Sequence, residues 1–586
     1  MNYDLNDISA KQEKASTLTI LKNLLGMITE ERKNLLLAFL AIITNSGLNL
    51  LSPFIVGHTI DTYIVHKNYH GVLMNAGLLL GMSLVAFFAS YLQTRLMGGV
   101  GQRMLFKLRN TIFNKIQELP LVFFNQNKAG DLISRVNNDT DKINTFFSQS
   151  LMQFIGSLVT MTGAGIFLLV INFRLGIATL VPGLLIFIFT KATSQWVKKK
   201  NAASLKTTGG LSAEIQESLN NFKVIIAFNR RDYFRKRFEE ANTKNYISSK
   251  AAGIANNVFI PVYGFFASTA QLIVLTAGIF LISTGSFSIG LLISYLAYAT
   301  NFYNPLRQLA ALWTNFQVAM AGADRVSHIL NMESDLPVIK AGGQQKNSSL
   351  LQFSNVHFGY PGGREILHNI NFILEPGKTY ALVGPTGGGK TTTASLLARL
   401  YDPSKGQVLL NGTDIRAYTP AERSKKIGFI LQEPFLFTGT VRENILYGNE
   451  QYAAYSSQQL EEVITEANLQ SLLDIFESGL DTNVTSGGES ISLGQKQLIA
   501  FMRAVLRNPD LLILDEATAN IDTITEQLLQ NILNKLPEAT TRVIIAHRLN
   551  TIKNADVIFF VNAGEVMAAG SFDHAVDMLL HGKRAS

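Results

Sequence analysis

The sequence predicts a multidomain membrane protein, with an all-α region of six transmembrane helices that extend far into the cytoplasm, followed by an α/β P-loop domain. Three observations predict it. Apolar runs of membrane-spanning length recur up to about residue 330; from about residue 350 the pattern turns to alternating strands and helices; and the second half carries Gly384-Pro385-Thr386-Gly387-Gly388-Gly389-Lys390-Thr391, of the form G-x-x-x-x-G-K-[ST]. At 586 residues the chain exceeds what one hydrophobic core serves, and its 16% charged residues fall well below the roughly 25% of soluble domains. The expected division is 1–335 for the membrane domain, 336–349 for a linker rich in Gly, Gln and Ser, and 350–586 for the nucleotide-binding domain.

A span needs about 20 mostly apolar residues. Six segments qualify: 35–57, 72–94, 150–172, 175–192, 258–282 and 287–309. Prolines at 53, 182, 261 and 305 are tolerable kinks inside a membrane. Arg103, Lys107, Arg109 and Lys115 follow the second span, and Lys198, Lys199, Lys200, Arg230, Arg231 and Arg235 follow the fourth; the short connections near 58–70 and 283–287 hold only Lys67. The positive-inside rule therefore puts both termini and the two long segments in the cytoplasm, the setting being an inner (plasma) membrane. The net charge of +8 is topological on this distribution, and nucleic acid is not an expected partner. The two long segments read as helical hairpins, with turns near Asn125–Asp131 and near Lys206–Glu214.

The spans carry almost no charge, which disfavours ion-coupled transport. Neutral polar residues do occur: Asn45, Ser46, Asn49, Thr160, Thr162, Gln271, Tyr295, Tyr298 and Asn301. They either line a cavity for an amphipathic substrate or bond helix to helix. His58, His66 and His70 are expected to be ordinary solvated histidines. With no cysteine, neither a disulfide framework nor a cysteine protease activity is possible.

In the second half, Tyr380–Val383 reads as a buried strand feeding the P-loop, and Thr392–Leu400 as helix after it. The glycines free backbone N–H groups to face phosphate oxygens; Lys390 reaches the β- and γ-phosphates and Thr391 ligates Mg²⁺. Leu511–Leu514 forms a second buried strand delivering two acids, Asp515 toward Mg²⁺ and Glu516 toward the attacking water. Ser492, Gly494 and Gln495 open a helix-compatible run, Lys496–Leu506, suited to phosphate at its N-terminus.

Together these residues resemble, in order, the nucleotide-binding domain of ABC transporters. The resemblance implies that Tyr360 stacks on adenine, that Gln432 senses Mg²⁺ and water, and that Ser492, Gly494 and Gln495 form the signature motif. It implies likewise that Asp522 belongs to the D-loop and that His547 contacts the γ-phosphate. Pro385, Thr386, Gly387, Gly388, Gly389 and Thr392 complete the nucleotide site, with ATP and Mg²⁺ as cofactors. Phe123-Phe124-Asn125 with Gly130–Arg135, and Ala213–Asn229, are similar to the segments around that family's two coupling helices. The whole chain resembles a half-transporter of the exporter type, which implies a second half-transporter chain as partner, ATP sandwiched between the two, and an amphipathic drug, lipid or peptide as substrate. Leu493 and Ser486 depart from the commonest exporter pattern. With Glu516 and His547 kept, this resembles the catalytically competent chain of heterodimeric exporters. Import of a metal chelate, or an ATP-gated membrane protein that does not transport, are the alternatives.

Overall fold

In the computed structural model, residues 3–5, 26, 29–334, 336–340, 349–485, 491–515, 523–545, 553–570 and 572–581 are described below. The chain folds as two units: one of 9–117 and 129–331, the other of 1–8, 118–128 and 332–586.

The first is helical: α1 (Arg32–Thr59), prolonged by a π turn over Ile60–Ile64, and α2 (Tyr69–Gln117). After α3 (Leu121–Gln126), which belongs to the other unit, come α4 (Ala129–Ile171), α5 (Phe173–Asn220), the short α6 (Phe222–Ala227), α7 (Arg231–Asn257), α8 (Phe259–Ser283) and α9 (Ile289–Leu330). Five of the long helical stretches are apolar enough to cross a membrane. The sixth, α9, is long enough at 42 residues, but its apolar stretch is diluted by Tyr295, Tyr298, Asn301, Tyr303 and Asn304.

Those tyrosines answer to packing. The hydroxyls of Tyr295, Tyr298 and Tyr303 donate to the carbonyls of Leu168 on α4 (2.8 Å), Leu50 on α1 (2.7 Å) and Thr179 on α5 (2.7 Å). All three rings are buried, and Tyr298 stacks flat on Phe167 at 4.8 Å. A hydroxyl inside a membrane core needs such a partner, and a helical carbonyl retains a second lone pair to supply it. Near the other end of the seam α1 and α9 touch backbone to backbone: a Cβ on Gly290 would lie 2.1 Å from the carbonyl oxygen of Gly57. Asp61 closes the seam, accepting from Ser288 Oγ (2.5 Å) and from the Gly290 amide (2.8 Å).

The first turn, expected near Asn125–Asp131, lies a few residues earlier, at 118–128, and Ala129–Asp131 already belong to α4. The second lies later than expected: α5 runs unbroken through Lys206–Glu214, and the chain reverses over Asn221–Arg230 around α6. Gly209-Gly210 suggested the break, yet Thr207 and Thr208 just before it both donate to Asn245 on α7, which holds α5 straight against its neighbour. The reversal waits for Asn229, whose φ of +50° is one that asparagine tolerates.

Among the described residues the second unit holds two larger sheets, besides a two-stranded pair of Gly439–Thr440 with Asn483–Val484. An antiparallel one orders β2 (Glu365–Leu374), β1 (Leu351–Gly359), β4 (Lys405–Leu410) and β5 (Thr413–Asp414). In the other, β3 (Thr379–Val383) lies between β8 (Thr541–Ile545) and β9 (Val557–Asn562). Beyond β8 come β7 (Leu511–Asp515) and β6 (Ile427–Ile430), and β10 (Glu565–Ala568) closes the opposite edge as its antiparallel member. The parallel strands are almost wholly buried, as strands covered on both faces must be. Helix α10 (Lys390–Leu397) follows β3, and α11 (Leu493–Val505) precedes β7.

Candidate nucleotide and substrate sites

Register brings the nucleotide residues together. Ile545 of β8 pairs with Leu382 of β3 on one side and with Asp515 of β7 on the other, so three strands end at one edge of the sheet. The P-loop spans from that edge to α10. Gly384 and Gly389 have φ of +146° and +112°, values open mainly to glycine. A Cβ on Gly384 would sit 2.0 Å from the Val561 carbonyl oxygen, and one on Gly388 at 2.6 Å from the same atom. The loop is thus pressed against β9 with its other side free for phosphate. Lys390 is only 5% exposed; its ammonium donates to the carbonyls of Gly384 (2.9 Å) and Pro385 (3.1 Å), arched over the loop where a phosphate would exchange for them. Thr391, in the first turn of α10, is exposed, while Asp515 is 4% exposed at the tip of β7. Gln432 lies just past β6, exposed. Glycine cradle, lysine, threonine and strand-end carboxylate are the donor set that a nucleotide triphosphate with a hard divalent cation requires. Glu516, Asp522 and His547 lie outside the described residues, as does Ser486; the strands that lead to Glu516 and His547 end side by side.

Tyr360 faces the same loop: its hydroxyl is 3.4 Å from Thr392 Oγ1 and its ring meets that of Tyr401 edge-on at 5.2 Å. Tyr401 escaped the sequence reading. It is 8% exposed, burial lifts its hydroxyl above the ordinary phenol range, and it accepts a 2.9 Å hydrogen bond from Asn125 on α3. A continuous path therefore runs from the Tyr360 ring through Tyr401 to the segment resembling the first coupling helix. The other side of that segment is held by the start of the chain, also unforeseen. Tyr3 and Leu5 are each 2% exposed. The Tyr3 amide donates to Gln126 Oε1 (2.7 Å), its hydroxyl to the Glu333 carbonyl (2.9 Å), and the Leu5 amide to Asn127 Oδ1 (3.1 Å). Nothing in the polar N-terminal sequence marks these residues.

Ser492 caps α11 in a reciprocal box with Gln495: Gln495 N donates to Ser492 Oγ (3.2 Å) and Ser492 N to Gln495 Oε1 (2.9 Å). Among the described residues no hydrogen bond joins this group or Gly494 to the P-loop of the same chain. Ser492 and Leu493 are exposed, Leu493 to 37%.

In the membrane unit, a cavity of about 630 Å³ opens between α1, α2, α4 and α9. Of the neutral polar residues singled out in the spans, Asn45, Ser46, Asn49 and Thr160 line it. Gln271 instead donates to Thr300 (3.2 Å), Tyr295 and Tyr298 belong to the seam, and Thr162 and Asn301 lie outside the cavity.

Residues 35–306 match the model of the ABC transporter transmembrane region, and 367–519 match that of the ABC transporter domain. An uncharacterized ABC transporter ATP-binding protein, YfiC, of Bacillus subtilis is 35% identical over 98% of this chain and 95% of its own length. A fatty acid ABC transporter ATP-binding/permease protein of Mycobacterium tuberculosis is 32% identical over 86% and 79% respectively. A multidrug resistance ABC transporter ATP-binding and permease protein of Lactococcus lactis is 29% identical over 96% and 95%.

Proposed function

The chain belongs to the ABC transporters, with membrane and ATPase domains fused in one half-transporter, and from that premise we propose that it exports amphipathic substrates as one half of a two-chain machine. The convergence of β3, β7 and β8 beneath the glycine cradle carries this reading, because it sets the phosphate-binding loop beside the strand ends that supply the metal ligand and the catalytic acid.

Lys390 holds the β- and γ-phosphates; Thr391, Asp515 and Gln432 hold Mg²⁺ or its waters; Glu516 orients the attacking water and His547 contacts the γ-phosphate. The exposed Ser492, with Gly494 and Gln495 beside it, serves ATP on a partner's P-loop; among the described residues no hydrogen bond ties the group to this chain's own P-loop. ATP binding closes the two chains and turns the cavity outward, and hydrolysis resets it. The setting is an inner membrane with both termini cytoplasmic. The partner is a different half-transporter: Leu493 projects a branched side chain at the signature position, while Glu516 and His547 are retained. Drugs, lipids and peptides all fall within the substrate class, and relatives are named for two of these.

The test is ATP hydrolysis by this chain in lipid nanodiscs, with particle mass and a Glu516→Gln control. Robust activity in a two-copy particle, silenced by that substitution, supports transport ATPase chemistry and a homodimer. Activity appearing only with a co-expressed second half-transporter supports the heterodimer. Absence of hydrolysis in both preparations refutes the proposed function.

A further inference from the structure

The cavity of the membrane unit is lined by six carboxamides: Asn45, Asn49, Gln93, Gln153, Gln308 and Asn315. Five hydroxyls join them, from Ser46, Ser90, Thr94, Ser157 and Thr160, and among the described residues no Asp, Glu, Lys, Arg or His lines it. The arrangement follows helical spacing. Asn45 and Asn49 stand four apart on α1; Ser90, Gln93 and Thr94 share a face of α2; Gln153, Ser157 and Thr160 share one of α4; Gln308 and Asn315 stand seven apart on α9. Four helices thus turn their amide faces to one space, while α1 and α2 offer Leu36, Phe54, Leu80 and Phe87 outward.

Helix-to-helix bonding does not absorb these groups. Asn49 donates to Asn45 at 3.3 Å, Asn315 to Ser150 at 3.2 Å, and Ser157 to Gln308 at a long 3.5 Å. Gln93 and Gln153 enter no side-chain hydrogen bond among the described residues. The cavity amides are thus left with donors and acceptors that a polar ligand can satisfy. A carboxylate or ammonium entering here would shed water without meeting an opposite charge, a loss that neutral amides offset poorly. A molecule bearing hydroxyls or amides meets donors and acceptors in matched supply. A site built from such bonds rejects analogues that lack them. The volume lies within the roughly 300–1,000 Å³ of small-molecule sites.

We propose, resting on the export function above, that the substrate is an uncharged amphiphile whose head presents several hydroxyl or amide groups to these side chains. Its apolar part lies on Ile42, Met152, Pro305 and Leu312 of the same cavity. The proposal separates this chain from exporters of fatty carboxylates and of lipophilic cations.

The test uses three dodecyl-tailed probes that differ only in head: an N-methylglucamide, a carboxylate and a trimethylammonium. Each is added below its micellar concentration to the full chain in nanodiscs, with empty nanodiscs as control. Trp313 emission reports binding, after Trp196→Phe removes the only other tryptophan. The glucamide is expected to saturate at concentrations about tenfold or more below the two charged probes. Gln308→Glu should invert that order in favour of the ammonium compound, a change that mere loosening of the fold does not produce. Should that variant fail to yield a folded particle, Gln93→Glu asks the same question on another helix. Equal binding of the three heads, tighter binding of a charged one, no saturable binding of any, or an unchanged order in the folded variants overturns the inference. ATPase activity sensitive to Glu516→Gln is read in the same particles, with the co-expressed partner where required. Activity with no head preference leaves the export function standing without this substrate class; absent activity removes both.

Discussion

The P-loop and the membrane cavity, the two sites proposed above, are built in opposite ways. The P-loop is closed on itself: its lysine is buried and donates to loop carbonyls, and Gly384 and Gly388 press on β9 with no room for a methyl group. The cavity is open, and its amides are scarcely bonded to one another. Phosphoryl transfer needs atoms fixed to fractions of an ångström, and such fixing comes from a short contiguous segment. Substrate capture tolerates looseness, and its residues are scattered from Ile42 to Asn315 on four helices.

The contrast can be attacked from its strongest side first. Lys390→Ala should lower ATP hydrolysis by roughly 10²–10³-fold, measured as phosphate release; a loss under tenfold would mean that the loop does not hold the reacting phosphates. Next, Tyr401→Ala should free α3, since ring packing of this kind is worth about 3–5 kcal/mol and the Asn125 bond goes with it. Hydrogen exchange over 121–126 should rise sharply, whereas Tyr401→Phe should raise it only modestly. Equal effects of the two would assign the docking to the hydroxyl alone.

Within the membrane, Tyr298→Phe removes a buried bond to a helix carbonyl and should cost about 1 kcal/mol of thermal stability without altering which probes bind. Asn49→Leu should do the reverse, weakening the glucamide with little loss in melting temperature. If the two variants behave alike, seam and cavity are not distinct regions. The smallest effect is expected from Leu493→Gly. In a heterodimer the ATP that this residue faces sits on the non-hydrolysing chain, and total turnover should stay within about twofold. A tenfold rise, about 1.4 kcal/mol of barrier, would indicate a homodimer slowed at both sites.

Legibility in the sequence followed the same divide. Strand, loop and helix around Lys390 were readable because each is local, whereas the adjacency of β3, β7 and β8 appears only in the fold. The turn placed at Lys206–Glu214 went astray because Gly209-Gly210 is a local signal, whereas the bonds to Asn245 that override it come from another helix. Asn45 and Asn49 were noticed but could not be told from Tyr295 and Tyr298, since a sequence does not say which polar group has found a partner. Gln93, Gln153, Gln308 and Asn315 were passed over near span ends, although their helical spacing was there to be counted.

The burial of Tyr3 sets an order of events during synthesis. Its amide partner, Gln126, lies 123 residues downstream and its hydroxyl partner, the Glu333 carbonyl, 330 residues downstream. At 5–20 residues per second, roughly 15–65 s separate the synthesis of Tyr3 from that of Glu333. All the membrane helices are synthesised in that interval. The Tyr3 hydroxyl can meet the Glu333 carbonyl only on a chain whose membrane helices have already been translated, so that contact forms late, whereas those to Gln126 and Asn127 can form much earlier.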